Sequence, residues 1–123
     1  MLILGIEYQA LGVLRQAHAA GIATAQVDEE AWGPVRFSRY RGPRHQSPAY
    51  SSDEFWPWLK NLAESEGYGG WVLVPTHDDQ VVQFARHYED VRQVYRYAGP
   101  EWGWFGRMFD KRDAVAWADE LGL

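Results

Sequence analysis

The stretch Trp71-Val72-Leu73-Val74-Pro75-Thr76-His77-Asp78-Asp79 decides the predicted fold class of this chain. Its four leading apolar residues show no polar alternation, which predicts a strand buried on both faces of a parallel sheet. Pro75 has no N–H to donate to a strand ladder, so regular pairing should end there. A helical pattern follows over residues 79–90, with its apolar residues on one face. We therefore expect this stretch at the centre of an open α/β sheet, with its polar turn on the ligand-binding edge.

Strand and helix patterns alternate along the rest of the chain. Glycines at positions 21 and 67 predict two helix ends, Ser51 with Glu54 predicts a capping box, and Asp78 or Thr76 is the expected N-cap of the helix after Pro75. The predicted strands cover residues 2–6, 23–28, 44–49 (an edge strand), 71–74 and 93–97. The predicted helices cover residues 10–20, 51–66, 79–90 and 100–108, with a single helical turn in 35–40 and a last helix that begins at Asp110 and carries an apolar stripe of Val115, Ala118 and Leu121. The expected fold is a three-layer, Rossmann-like open sheet, mostly parallel, with four to five strands and helices on both faces.

Composition narrows the class of protein. The chain has 123 residues, 46% apolar and 24% charged, which fits one folded domain. Its net charge of −5 and its thin scatter of arginines at 36–44 argue against a nucleic-acid or anionic-membrane partner. The chain has no cysteine and no apolar run approaching ~18 residues, so we expect a cytoplasmic protein without a membrane span or leader.

Two turns could carry chemistry. Residues 5–12 lack the three-glycine dinucleotide fingerprint, although the amides that begin the first helix could bind an anion. Residues 76–79 could bind a metal, contact a substrate or cap the helix. Adjacent residues rarely converge on one ion, and no second cluster of ligands lies at a useful spacing, so we expect no metal site.

Five segments in order resemble the N-terminal (pre-ATP-grasp) domain of ATP-grasp carboxylate–amine ligases, in the branch that includes D-aspartate ligase-like proteins. The resemblance covers essentially the whole chain, and its specificity lies in the order and spacing of the segments. They are Ala10-Leu11-Gly12-Val13-Leu14-Arg15, Ala20-Gly21-Ile22, Phe37-Ser38-Arg39-Tyr40, Pro75-Thr76-His77-Asp78-Asp79 and Phe109-Asp110-Lys111-Arg112, the last followed by a predicted helix that ends at Glu120-Leu121-Gly122.

The resemblance implies a ligase that uses ATP to activate a carboxylate as an acyl phosphate, which an amine then attacks. In the family, the lysine that matches Lys111 projects toward the phosphates of ATP, where its charge would stabilise phosphoryl transfer. The loops that face a small carboxylate or amino-acid substrate supply the implied binding residues: Glu7, Tyr8, Gln9, Leu11, Thr76, His77 and Asp78.

The resemblance also implies a missing part. ATP and Mg²⁺ act in the full-length ligase, whose ATP-binding core is expected after residue 123, in the same chain or a separate subunit. We expect this fragment alone to bind neither and to be inactive. The first alternative is a stand-alone Rossmann-like module for binding or protein interaction, and the second is a small-molecule sensor domain. For the ligase domain, an aromatic surface would contact the next domain. For the interaction module, the same surface would bind a partner protein. A homodimer formed through this surface is compatible with both hypotheses. That surface comprises Trp102, Trp104, Phe105, Met108 and Phe109.

Overall fold

The computed structural model describes residues 1–109 and 111–122, and it shows an α/β fold. A four-stranded, all-parallel sheet carries helices on both faces, which confirms the predicted fold class. The strands are β1 (Leu2–Leu4), β2 (Ala25–Asp28), β3 (Arg44–Gln46) and β4 (Leu73–Val74). The helices are α1 (Tyr8–Ala19), α2 (Phe55–Glu66), α3 (Asp78–Arg86), α4 (Tyr88–Val94), α5 (Trp102–Phe109) and α6 (Lys111–Leu121), with a short 3-10 helix at Pro34–Phe37.

The strand order is β3-β2-β1-β4, so β1 is an inner strand and β4 is an outer one. The expectation that the stretch from Trp71 forms the centre of the sheet is therefore wrong. All three residues of β1 are fully buried, whereas Val72 is 43% exposed. Both segments are uniformly apolar, and an apolar run alone does not reveal which strand has neighbours on both sides.

The strand predicted over residues 93–97 is also wrong, because α4 continues to Val94. The backbone beside β4 forms one bridge, at Arg96, whose N–H donates to the Trp71 carbonyl and whose carbonyl accepts from Leu73 N, both at 2.9 Å. The Val94 carbonyl also accepts from Gly70 N at 2.8 Å. Tyr95 and Tyr97 are both buried, so the predicted alternation of buried and exposed side chains is present. It arises at one bridge position directly after a helix and not in a full strand.

Two apolar clusters hold the layers together. On one face of the sheet, Ile3 packs with α1 and the 3-10 helix. On the other face, Leu2 and Leu4 pack with residues of α2, α3 and α4. This alternation along β1 follows from the two-residue repeat of a strand. The larger cluster contains the aromatic residues Tyr50, Phe55, Trp56, Tyr68, Phe84, Tyr95 and Tyr97.

The helix ends agree only in part with the predictions. Gly21 and Gly67 adopt φ values of 69° and 72° and end their helices as expected. The predicted capping box is wrong: α2 begins at Phe55, and the Glu54 amide donates to Ser52 Oγ at 3.1 Å. That contact closes a local turn before the helix starts.

The helix predicted over 79–90 is divided at His87 into α3 and α4. Neither Asp78 nor Thr76 is the N-cap of α3, because His77 occupies that position. Gln80 reaches back from the first turn, and its Oε1 accepts hydrogen bonds from the amides of Thr76 (2.8 Å) and His77 (3.2 Å). The buried Gln80 side chain therefore accepts the hydrogen bonds of these amides, a role that a glutamate often has at the start of a helix.

Helices α5 and α6 form a hairpin against α3, with Arg107 and Glu120 paired at 2.8 Å. None of the residues described in these two helices is buried. Val115 and Leu121 are well exposed, so the predicted stripe on α6 faces no core. The predicted cap, Asp110, lies outside the described residues. Within the described chain, every helix is too short or too polar to cross a membrane.

Candidate functional site

A small acidic crevice lies where β1, β2 and β4 end. The strand order changes direction at β1, because β2 and β3 lie on one side of it and β4 on the other. Helices α1 and α3 leave the neighbouring strands β1 and β4 toward opposite faces of the sheet, and ligands of open α/β sheets bind at such a switch point. The crevice has a volume of about 100 Å³ and is lined by Glu7, Asp28, Glu29, Glu30, Tyr50, His77 and Asp79.

A side-chain hydrogen bond joins the ends of β1 and β4. Thr76 Oγ1 donates to the Leu4 carbonyl at 2.5 Å. Gly5 lies directly beside this contact with a φ of 111°, and a methyl group at its Cα would overlap Thr76 Oγ1. Only glycine adopts this backbone conformation without strain and leaves room for the threonine. The contact lies between the turns that supply Glu7 and His77 to the lining of the crevice.

The loops after β2 and β3 close the other side. Asp28 Oδ1 accepts a hydrogen bond from Glu30 N at 2.6 Å, which fixes a tight turn at the end of β2. Glu29 Oε2 accepts from Tyr50 N at 2.8 Å and so ties the loop after β3 to that turn. These two contacts bring Tyr50 against Asp28, although the residues are far apart in the sequence.

Burial sets the protonation of the crevice floor. Asp28 is only 2% exposed, and burial raises its pKa above the ordinary carboxyl range. The Glu30 amide, the nearby Tyr50 hydroxyl and the charge of His77 oppose this shift, but burial outweighs them. Burial and then the charge of Asp28 raise the pKa of Tyr50, so its hydroxyl stays protonated at neutral pH.

Three polar atoms are buried together at this floor: Asp28 Oδ2, Tyr50 Oη and Gln80 Nε2. The Tyr50 hydroxyl interacts with the Asp28 carboxyl and with the Gln80 side chain, although the geometry of these contacts is not that of good hydrogen bonds. Buried polar groups of native proteins are usually satisfied by one another in this way. The floor is therefore a small polar network beneath a ring of carboxylates.

The structure brings some of the predicted site residues together. Glu7 and His77 both line the crevice. Thr76 is spent on the hydrogen bond to Leu4, which positions its neighbours. Asp78 is exposed in the first turn of α3 and lies outside the crevice, whereas the adjacent Asp79 lines it.

The other predicted residues lie elsewhere. Tyr8 and Gln9 are exposed in the first turn of α1 and do not line the crevice. Leu11 lines a separate groove between α1 and the residues that follow the 3-10 helix. Lys111 is exposed at the first position of α6.

Asp79 belongs to the turn 76–79 that the sequence predicts as a possible substrate contact, whereas four crevice residues were missed: Asp28, Glu29, Glu30 and Tyr50. A signal existed for Asp28, since it ends a predicted strand that neighbours strand one and should share its carboxyl edge. Tyr50 carries no such signal, because its place depends on the Glu29 contact across 21 residues.

The crevice is rich in oxygen donors, yet no group of three His, Asp or Glu residues among those described is arranged to hold a metal ion. What the arrangement offers instead is concentrated negative charge around a buried carboxyl. In comparisons with models of protein families and with curated proteins, nothing matches this chain.

Proposed function

We propose that this chain is the substrate-side domain of an ATP-dependent carboxylate–amine ligase, and that its acidic crevice binds the ammonium group of the amine substrate. The supporting observation is the position of the crevice, at the switch point of a Rossmann-like parallel sheet, together with its five carboxylates. The sequence resemblance supports the reaction class, and the charge of the site selects the substrate group.

The charge of the crevice favours a cation over an anion. Glu7, Asp28, Glu29, Glu30 and Asp79 surround a space of about 100 Å³, and His77 is the one basic side chain among the lining residues. A unit charge at 4 Å from one carboxylate gains or loses about 1–4 kcal/mol at the effective dielectric of a protein surface. A substrate carboxylate would be repelled here, and an ammonium group of similar size would be held.

The floor of the crevice also suits the proton transfer that this reaction requires. An amine must lose a proton before or while it attacks an acyl phosphate, and a positioned carboxylate can accept it. Because burial raises the pKa of Asp28, this group is a better proton acceptor than an exposed aspartate. Oδ1 of Asp28 accepts from Glu30 N, so Oδ2 is the atom that would receive the proton.

The nucleotide does not fit the crevice, because an acidic, 100 Å³ space repels a polyphosphate and cannot enclose it. In this proposal ATP and Mg²⁺ belong to a separate ATP-binding core, which supplies the phosphoryl transfer. Lys111 would reach toward that core from the start of α6, a helix in which no described residue is buried.

The amine-binding part of the proposal can be tested on the chain itself. We expect glycinamide, which carries an ammonium group and no carboxylate, to shift the backbone amide NMR signals of Glu7, Asp28 and His77 in a saturable way. Acetate should leave them unchanged. Asp79→Asn should weaken the glycinamide affinity by about fivefold or more, because about 1 kcal/mol or more of attraction to one close charge is lost.

Asp78→Asn is the matched control, because Asp78 is the neighbouring exposed carboxylate of the same first turn and does not line the crevice. It should leave the affinity unchanged. Equal weakening by both variants would mean that general negative charge attracts the ligand. Stronger shifts with acetate than with glycinamide would contradict the amine assignment.

The ligase part has its own test. A reading frame that continues after residue 123 into a glycine-rich lid and a late Glu-x-Asn pattern supports it. The full-length product should then release ADP from ATP only when an amine and a carboxylate are both supplied. A stop codon at that point, with no neighbouring gene for such a core, would overturn the ligase assignment and leave amine binding intact.

The exposed hairpin favours a second candidate, a stand-alone interaction module. Trp102, Trp104, Met108 and Phe109 are all exposed, and such contiguous apolar surface usually marks an interface. If the surface joins two copies of the chain, Trp104→Gln should shift sedimentation equilibrium toward the monomer. Trp32→Gln, at another exposed tryptophan, should not. A monomer in every variant would exclude the homodimer.

A further inference from the structure

A second, basic groove lies between α1 and the segment 34–40, and it shares no residue with the acidic crevice. We propose that this groove binds an organic phosphate that carries a flat ring, with Arg15 and Arg39 holding the phosphate and the stacked rings of His18 and Tyr40 contacting the ring of the ligand. This inference is independent of the proposed ligase function.

The groove has the size of a small-molecule site. Its volume is about 730 Å³, which lies within the range of about 300–1,000 Å³ typical of such sites. Its floor is formed by Leu11 and Pro34, and its rim carries polar and aromatic side chains. The residues that the proposal uses are Leu11, Arg15, His18, Phe37, Arg39 and Tyr40.

The charge around the groove is positive, although the chain as a whole has a net charge of −5. No aspartate or glutamate occurs between residues 31 and 52, where Arg36, Arg39, Arg41 and Arg44 are found. Within α1 the basic residues are Arg15 and His18, and that helix holds no acidic residue. Like charges placed together repel one another, and a bound anion removes that cost.

Arg15 and Arg39 have donors available for a ligand, whereas the other three arginines bond to backbone carbonyls. Arg36, Arg41 and Arg44 donate to the carbonyls of Ala31 (3.3 Å), Arg36 (2.7 Å) and Glu30 (2.5 Å). Within the described residues, neither Arg15 nor Arg39 forms an ion pair with a carboxylate.

Arg15 is exposed and lines the groove from α1. Arg39 approaches from the opposite wall, with one nitrogen bonded to Tyr40 Oη at 2.5 Å and its other donors still available. Guanidinium groups bind phosphate through two parallel hydrogen bonds, which makes arginine the preferred residue for this anion.

An aromatic platform lies beside these charges. The rings of His18 and Tyr40 are stacked with centroids 4.1 Å apart and planes 25° apart, and the Arg39 guanidinium lies 4.8 Å above the Tyr40 ring. Phe37 is 78% exposed on the same rim, an unusual position for a phenylalanine. A ligand that combined a flat ring with a phosphate would use both the stacking surface and the charge, whereas an inorganic anion would use the charge alone.

The test uses three probes and ¹⁵N-labelled protein. Phenyl phosphate should produce saturable amide shifts at Arg15, His18 and residues 37–40, and its affinity should fall as salt is raised. Inorganic phosphate should bind at least threefold more weakly because it lacks the ring, and phenol should not saturate because it lacks the charge. Arg15→Gln should weaken the phenyl phosphate affinity at least fivefold.

Arg92→Gln is the matched control, because Arg92 also lies over a tyrosine ring, 5.2 Å from that of Tyr88, but in a different part of the chain. It should leave phenyl phosphate binding unchanged, and both variants should keep the unfolding temperature because both arginines are exposed. Equal loss in both variants would show that net charge alone attracts the probe. Shifts elsewhere on the surface, or no saturation by phenyl phosphate, would overturn the proposal.

Discussion

Gly5→Ala should destabilise this protein far more than a methyl group normally does, because Gly5 is where β1 meets β4. Its φ of 111° is unfavourable for any residue with a Cβ, and the new methyl would overlap Thr76 Oγ1. The threonine would have to move and lose its hydrogen bond to the Leu4 carbonyl. Alanine therefore brings both backbone strain and the loss of a tertiary contact.

The magnitude follows from these two effects. A left-handed conformation costs an alanine about 1–2 kcal/mol relative to glycine. The lost side-chain hydrogen bond removes a further contribution of about 0.5–1.5 kcal/mol. Their sum is about 1.5–3.5 kcal/mol. Since about 1 kcal/mol corresponds to about 3–5 °C for a domain of this size, the unfolding temperature should fall by about 5–18 °C.

Urea and thermal unfolding followed by circular dichroism measure this difference, and Gly12→Ala is the matched control. Gly12 lies inside α1, and no heavy atom lies within 4 Å of a methyl group added there. That substitution should stabilise the protein by about 0.5–1 kcal/mol. In a Thr76→Ala background Gly5→Ala should cost less, because the overlap and the hydrogen bond are already gone. Additive costs, or a Gly5→Ala variant as stable as the wild type, would refute this account of the junction.

The remaining predictions concern single buried groups. Burial raises the pKa of Asp28, so protonation of this carboxyl contributes to the stability of the folded state. The contribution is fully present below about pH 4, the pKa of the unfolded chain, and is lost as the pH rises through the raised pKa of the folded state. Asp28→Asn, which stays neutral and can still accept from Glu30 N, should therefore gain stability relative to the wild type from pH 4 to pH 8 in urea titrations; parallel profiles would contradict this. Tyr95→Phe should lose about 0.5–1.5 kcal/mol, since the buried Tyr95 hydroxyl donates to the Leu59 carbonyl at 2.8 Å. The exposed Tyr8→Phe should change the unfolding free energy by less than about 0.5 kcal/mol, and a similar loss in both would count against a specific role for the Tyr95 bond.

Local patterns predicted most of the elements of this fold. The glycines after α1 and α2 end those helices because the left-handed conformation there suits glycine. The low-regularity segment 44–49 contains the predicted edge strand, observed as Arg44–Gln46. The predicted position of the strand from Trp71, at the centre of the sheet, was wrong. Leu2–Leu4 and Leu73–Val74 have the same apolar character, and only pairing partners distinguish an inner strand from an outer one.

The crevice was half predictable for a related reason. The turn after β4 could be named because it follows an apolar run, and Glu7 was named from the family resemblance; Glu7 and His77 both line the crevice. The other half depends on long-range contacts that no local pattern encodes. Tyr50 reaches the site through one hydrogen bond to Glu29, and Asp28 acquires its raised pKa only when the surrounding loops bury it.

The corrected strand order strengthens the case for a site at this edge. If the stretch from Trp71 were the central strand, Thr76 to Asp79 alone would form the middle of the ligand-binding edge. With β1 as an inner strand, the strand order reverses between β1 and β4, which makes this edge a switch point. The turn after β4 forms one wall of the cleft there, and the turn after β2 forms another. The buried Asp28 and His77 both line this cleft, and the hydrogen bond between Thr76 and Leu4 fixes the turn after β4 to the end of β1. A shift of that contact should therefore change amine binding as well as stability, which links the Gly5→Ala measurement to the proposed site.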